Sequence, residues 1–371
     1  MALSSSLAPE RALGRSPMAP IDGDAAVAVT GAAGFVGGWI VRRLLDKGHL
    51  VRACVRDGDH PRAAFLRQMP EHGARRLVVL SCDLGEPGAC DEAFRGCQGV
   101  VHAAADPDMP LAQRLADYTR ISRGIIASVE ESGSVRRVIY TSSAASIAGD
   151  QDIQELKLRP IIDERRSPNL GNPMNQDLDS MGYVLGKLEC ERLFAKAAAG
   201  SGGRWDALVV NPSDNIGPIL SRHHAEARAA WTPWNCTLAR ILEGRPFPQS
   251  HRLQPWWPVD VRDTAEAHAL LLASVAAAPG ERYLVCSGEA VRVEELAGML
   301  AELLPEAGID PAAGPEEAGL DPAAEAELRA AWAGCELRNG KVRAATGLAF
   351  RPLADTLRGA AESLLAVSAC G

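Results

Sequence analysis

From residue 27 to about residue 210, short apolar runs rich in β-branched residues alternate with longer stretches whose apolar positions recur every three to four residues. Continuous apolar runs suit strands buried on both faces, and the longer period suits helices laid against them. The pattern predicts strands at 27–30, 50–55, 76–80, 99–102, 136–141 and 207–211. Strands joined by helices in this way make an α/β protein with a doubly wound parallel sheet, the Rossmann arrangement. Residues 150–180 break the pattern with Pro160, Pro168, Gly171 and Pro173, and read as a loop over the cleft. Beyond Pro212 the alternation weakens. Helices at 263–276, 293–304 and 353–367 and a strand at 282–286 suggest a smaller lobe, with exposed helix and loop over 309–333. The expected organisation is a disordered leader over 1–24, a Rossmann domain over 25–212, and a mainly separate smaller lobe over 213–371 with strands returning to the main sheet. No internal repeat is visible.

The first predicted strand runs into Gly31-x-x-Gly34-x-x-Gly37, and a helix opens at once. Gly31 suits the tight turn, Gly34 admits a pyrophosphate close to the backbone, and Gly37 lets the helix pack on the sheet. Phe35 and Val36 then belong to a helix start whose free N–H groups and dipole favour an anion. Strand before and helix after is the context that turns a glycine triplet into a dinucleotide site.

Composition narrows the class. The 371 residues are 47 % hydrophobic and 23 % charged, ordinary for a globular protein. A net charge of -8 offers no basic footprint, so nucleic acid is not an expected partner. The longest apolar stretch, near residues 267–278, is too short for a bilayer, so no membrane span is expected. Nine cysteines without a C-x-x-C pair suit a reducing compartment, and the cytoplasm is the expected location. Residues 1–24 mix serine and arginine with Glu10, Asp22 and Asp24, which favours a disordered leader over an organellar one.

The second constellation is Tyr183-Val-Leu-Gly-Lys187, downstream of Tyr140-Thr-Ser-Ser-Ala144 at the end of the fifth predicted strand. Residues at i and i+4 share a helix face, so both side chains can enter one cleft. Hydride addition to a carbonyl builds an alkoxide that needs a proton as it forms. A phenol is a weak acid near pH 7, and an ammonium beside it stabilises the phenolate. A serine hydroxyl at the strand end can hydrogen-bond the developing oxyanion. Ala103 and Ala104, after the fourth strand, are small enough to let backbone approach a cofactor. Arg56 stands about 20 residues beyond Gly37, where a carboxylate would select NAD and an arginine accepts the 2′-phosphate of NADP. NADP(H) is therefore expected, with Asp57 as the residue that would instead meet a ribose. Arg52 reads as structural.

With these residues in view, the chain resembles the extended short-chain dehydrogenase/reductase superfamily, in its dihydroflavonol-4-reductase and cinnamoyl-CoA-reductase-like group. The resemblance covers roughly residues 27–285 and weakens towards 366. It is carried by Thr30-Gly-Ala-Ala-Gly-Phe-Val-Gly37, Val51-Arg-Ala-Cys-Val-Arg-Asp57, Cys82-Asp-Leu84, Gly96-Cys-Gln-Gly-Val-Val-His102, Val135-Arg-Arg-Val-Ile-Tyr-Thr-Ser-Ser-Ala144, Tyr183-x-x-x-Lys187 and Asn211-Pro212. It implies an NADP-binding Rossmann domain with a C-terminal substrate lobe. It implies Ser143 as carbonyl-binding residue, Tyr183 as proton donor and Lys187 as its activator. It also implies an adenine contact at Asp83 and Leu84, for which a helix cap is the alternative, and a nicotinamide border at Pro212 and Ser213.

Departures from that group limit the substrate. Ala148 stands where the plant flavonoid reductases carry an asparagine that grips ring hydroxyls, and Met181-Gly-Tyr-Val-Leu-Gly-Lys187 shares only Tyr, Gly and Lys with the cinnamoyl-CoA reductase signature. Asp214 and Asn215 replace aliphatic residues, which suits either a more polar substrate or a capped turn. Trp234 and Trp257 are pocket candidates, while Trp231 and Trp256 read as core. His223, His224 and His251 read as exposed loop histidines, and no metal is expected. The expected function is an NADPH-dependent reductase, reversibly an alcohol dehydrogenase, acting on a ketone or aldehyde of a small organic molecule. The rivals are a sugar-nucleotide epimerase or dehydratase of the same architecture and a non-catalytic NADPH-sensing scaffold. Monomer and homodimer are both open.

Overall fold

The computed structural model describes residues 18–106, 108–226, 234–246, 256–313 and 322–368. Eleven strands form among them: β1 Ala26–Thr30, β2 Leu50–Val55, β3 Leu77–Ser81, β4 Gly99–His102, β5 Arg137–Thr141, β6 Ile161–Ile162, β7 Asp206–Pro212, β8 Asp214–Ile216, β9 Pro258–Asp260, β10 Arg282–Val285 and β11 Glu336–Leu337. Seven of them build one sheet in the order β10-β7-β5-β4-β1-β2-β3, parallel throughout. The six strands expected in the first half all form, within a residue or so of their expected ends, because each is a continuous apolar run that the sheet buries on both faces. The chain starts at β1 in mid-sheet and winds outward both ways. The order therefore reverses between β1 and β4, and the crevice beyond their carboxyl ends is where such folds bind ligands.

Two apolar layers sandwich the sheet. On one side the helices Phe35–Asp46 and Val261–Ala273 bury Ile40, Val41, Leu44, Ala265 and Leu272 with Val27, Val29 and Val101. On the other, Leu111–Ser132 and Leu178–Gly200 bury Ile125, Val129, Cys190 and Phe194 against Val100, Val138 and Val209. Inside the sheet Arg137 on β5 makes a two-pronged contact with Asp206 on β7, two bonds of 2.8 Å each, and Nη1 donates to carbonyls at Leu271 and Ser274. With its donors satisfied in this way, the buried charge is tolerated.

The later segments depart from expectation in three places. Residues 150–180 are not a simple loop: they hold the helix Ile153–Leu158, β6 and the start of the Tyr183 helix. Their organiser is the buried Asp150 carboxylate, which accepts from Arg166 at 2.9 Å, the Asn169 amide at 2.9 Å and Asn175 at 2.7 Å. β6 then pairs with β11 from the far end of the chain. The helix Pro322–Ala333 is not all exposed either, since Trp332 is buried edge-on against Trp257 with ring centres 5.2 Å apart. Asp214 and Asn215 lie not in a turn but in β8, paired with β9.

Candidate active site

The glycine loop sits at the switch point, and its geometry explains its composition. Gly31 has φ +70°, and a Cβ there would lie 2.7 Å from Ala104 Cα; one on Gly37 would lie 2.1 Å from the Gly31 carbonyl oxygen. Neither position admits a side chain. The helix that follows begins at Phe35 with no side-chain cap at Gly34 and no acidic residue in its first turn. The uncapped N–H groups of that turn are the donors a diphosphate requires, so the residues present fit a dinucleotide. Ala103 and Ala104 form the opposite wall, the Ala104 backbone pressing on Gly31.

Lys187 and Tyr183 lie one turn apart on the long helix Leu178–Gly200. The Lys187 ammonium is buried, donates to the Thr141 carbonyl at 2.9 Å, and lies over the rings of Tyr140, Tyr118 and Tyr183 at 5.2, 5.6 and 5.9 Å. A second cation, Arg114, stands 5.6 Å from the Tyr183 ring centre. Such ring contacts hold a desolvated cation in place. Ser143 follows β5, and its Oγ accepts the Ala145 N–H at 3.1 Å. The short helix after it, Ala145–Ala148, packs through Ala145 against Met181, Val184 and Leu185 of the Tyr183 helix. Beneath Lys187, the His102 imidazole contacts Thr30 Oγ1 at 2.7 Å, and burial pushes its pKa down to about 3 with the Lys187 charge adding to the effect.

Arg56, one residue past β2, is largely exposed and pairs with Asp106 at 2.9 Å. Asp57 instead accepts the Asp59 N–H within its own turn, at 2.9 Å. Arg52 donates to carbonyls of Ala93 and Arg95, a structural tie between β2 and the segment before β4. Asp83 caps no helix. Its Oδ1 accepts the Gly85 N–H at 3.0 Å in a tight turn, with Leu84 half-buried beside it. Pro212 ends β7 and accepts the Ala144 N–H at 2.8 Å, which ties the end of β7 to the Ser143 loop. Ser213 Oγ is buried and has no hydrogen-bond partner among the described residues.

The pocket candidates separate. Asn215 is committed internally, accepting from Thr264 Oγ1 at 2.7 Å and donating to the Ser213 carbonyl at 3.2 Å. Burial raises Asp214 to about 6 against bonds from Trp234 and the Trp257 N–H that lower it. Ala148 and Trp257 belong to one buried cluster with Ile147, Leu284 and Trp332, whereas Trp234 lies against Trp256 at 4.8 Å. His224 is not exposed: it is buried beside Phe65 and contacts the Ala33 carbonyl of the glycine loop at 3.2 Å. Trp231 and His251 lie outside the described residues. Among the described residues no group of three or more metal-ligating side chains forms, and no helix is long and apolar enough to cross a membrane. The roles of Asp106 and the buried His224 are not visible along the chain, since each acts through residues distant in sequence.

A seven-stranded parallel sheet whose switch point carries a turn closed to side chains at Gly31 and Gly37 defines a dinucleotide-binding Rossmann protein of extended short-chain dehydrogenase/reductase type. Comparison with known proteins makes this specific. The chain belongs to the NAD dependent epimerase/dehydratase family, which it matches over residues 27–286. It is 31 % identical to dihydroflavonol 4-reductase of Zea mays over 285 residues, 76 % of this chain and 74 % of that one. It is 30 % identical to cinnamoyl-CoA reductase 1 of Petunia hybrida over 286 residues, 76 % of this chain and 78 % of that one. Among solved structures, the fold matches yeast methylglyoxal/isovaleraldehyde reductase complexed with NADPH, with a TM-score of 0.72, 22 % identity and coverage of 93 % of this chain and 99 % of that one.

Proposed function

We propose that the protein is an NADPH-dependent carbonyl reductase, reversibly an alcohol dehydrogenase, that works on a ketone or aldehyde of a small organic molecule through Ser143, Tyr183 and Lys187. The observation that carries the reading is the buried Lys187 ammonium held 5.9 Å from the Tyr183 ring, on the helix packed against the Ser143 loop. NADPH, when bound, supplies the hydride. Ser143 would donate a hydrogen bond from its hydroxyl to the substrate oxygen while keeping its proton, since its oxygen already accepts the Ala145 N–H. Tyr183 would deliver the proton that converts the alkoxide to alcohol, and Lys187 would stabilise the phenolate left behind. Lys187, fixed on the Thr141 carbonyl, still has donors for ribose hydroxyls. Gly31, Gly34, Phe35, Val36 and Gly37 would hold the diphosphate, Arg56 the 2′-phosphate, Asp83 and Leu84 the adenine, and Ala103, Ala104, Pro212 and Ser213 the rest of the cofactor. NADPH is supported by Arg56 standing where a carboxylate would select NAD, and by the yeast neighbour, whose structure contains NADPH. On this reading residues 25–212 bind cofactor and 213–371 mainly shape the substrate side, with Asp214 and the Trp257 cluster there. The relatives named above are plant reductases, but Ala148 removes the asparagine that would grip a flavonoid.

The test is NADPH consumption, followed by absorbance, with a panel of aldehydes and ketones. Wild-type protein is expected to turn over at least one. Tyr183→Phe and Lys187→Met are each expected to lose on the order of 10²-fold or more in kcat. Undiminished turnover in both variants discards the mechanism.

A further inference from the structure

One carboxylate joins the helix that carries Tyr183 and Lys187 to the loop that carries Ser143. Glu191 lies one turn beyond Lys187 and is buried. Its Oε1 accepts from Ser142 Oγ and from Asn211 Nδ2 at 2.8 Å. Ser146 Oγ stands 2.6 Å from the same oxygen and 2.7 Å from the Ser143 carbonyl, so its single proton is shared between the two. The second amide proton of Asn211 faces Ser146 Oγ at 3.0 Å and the Ser143 carbonyl at 3.2 Å. On its other side Glu191 Oε2 is 3.0 Å from Arg282 Nε, and Arg282 clamps the same loop by donating to the Ser146 carbonyl at 2.9 Å.

Ser142 and Ser146 bracket Ser143, so the contacts of this one carboxylate converge on the backbone that aims a single hydroxyl. A buried ion pair is poor evidence of stabilisation, because well-packed apolar residues of similar volume often serve a core as well. What an apolar pair could not do is fix the rotation and height of the Ser143 peptide against the helix bearing the phenol. We infer that Glu191 is a positioning residue for the carbonyl-reductase chemistry, setting Ser143 Oγ relative to Tyr183, with Arg282 as the buttress of that carboxylate. The inference rests on the function proposed above. Misplacement of a reacting group by about 1 Å can cost on the order of 10²-fold in rate.

The experiment is a double-mutant cycle on the full chain with NADPH and the best carbonyl of the panel. It uses Ser143→Ala, Glu191→Gln and their combination, with circular dichroism on each. Glu191→Gln is expected to lower kcat by about 10- to 100-fold while KM for NADPH stays within about twofold, since the glycine loop is untouched. Adding it to Ser143→Ala is expected to cost nothing further, because the serine through which it acts is gone. A paired Glu191→Met, Arg282→Met variant removes both charges, leaves none buried alone, and carries the test if Glu191→Gln fails to fold. Losses that multiply independently, or full kcat in a folded Glu191 variant, overturn the inference. Full activity of Ser143→Ala by itself would instead overturn the reading on which it rests, and the two failures are told apart by that single variant.

Discussion

Arg56 and Asp106 face each other across the carboxyl edge of the sheet, the guanidinium Nη2 2.9 Å from the carboxylate Oδ2. Arg56 follows β2 and Asp106 follows β4, so the pair bridges the flanks of β1 just where the strand order reverses. The Arg56 side chain remains 73 % exposed, which leaves most of its planar fork available. An anion recruited by Arg56 therefore competes with Asp106 for the same cation. An exposed ion pair of this kind contributes about 0–1 kcal/mol, so the competition is mild.

The pair makes an opposed prediction for two substitutions. Arg56→Ser is expected to raise KM for NADPH by roughly tenfold or more, with NADH much less affected, through loss of a two-pronged phosphate contact. Asp106→Asn is expected to lower KM for NADPH by a few-fold at most, the limit set by an exposed pair. Steady-state kinetics with both cofactors check this, and equal changes for NADH and NADPH in Arg56→Ser would remove the arginine from cofactor selection.

Gly37 offers a test of the loop that does not depend on substrate. A methyl group there would lie 2.1 Å from the Gly31 carbonyl oxygen, and both atoms belong to elements that cannot move apart freely. Gly37→Ala is expected to cost about 1–3 kcal/mol of stability, the usual penalty for overpacking, and to abolish NADPH-induced thermal stabilisation. Thermal melts with and without NADPH measure both. A variant that melts like wild type and still gains stability from NADPH would mean that the helix does not pack here as described.

Four buried histidines among the described residues, His49, His102, His224 and His268, are held below their ordinary pKa by burial and set the acid limit of the fold. Burial pushes His102 down to about 3 and both His224 and His268 down to about 4. In the unfolded chain each would titrate near 6.5. Below that pH the unfolded state takes up protons that the folded state refuses, so stability is complete above pH 6.5 and falls as the solution is acidified. For His224 and His268 the loss levels off near pH 4. The physical reason at His224 is plain: Nδ1 accepts the Leu220 N–H at 3.4 Å while the other ring nitrogen contacts the Ala33 carbonyl, so a second ring proton would face a donor. His224→Gln is expected to remove about 1.4 kcal/mol per pH unit from the slope between pH 6 and 4.5. Denaturant unfolding across that range checks it, and an unchanged slope would place His224 in water.

How much of this was legible along the chain follows from how far each feature reaches. The β1 run, the Gly31 to Gly37 spacing and the Tyr183 to Lys187 interval are all local, each contained within a strand, a turn or one helical turn. Their consequences follow from backbone geometry alone. His224 reads as exposed because its immediate neighbours Ser221, Arg222, His223 and Glu226 are polar; Phe35 and Phe65, which lie beside it, come from far earlier in the chain. Asp150 likewise looked like part of a polar loop until Arg166, Asn169 and Asn175 closed around it.

The amino-acid order by itself determined the alternation of strand and helix, the glycine-bearing turn between β1 and its helix, and the shared face of a phenol and an amine, because hydrophobic period and steric allowance act over a few residues. Only the tertiary structure decided which polar groups meet: Arg56 with Asp106, Glu191 with the Ser143 loop and Arg282, His224 with the glycine turn. Those pairings depend on which strands become neighbours, and strand neighbours are chosen by burial of the whole sheet and not by any one segment.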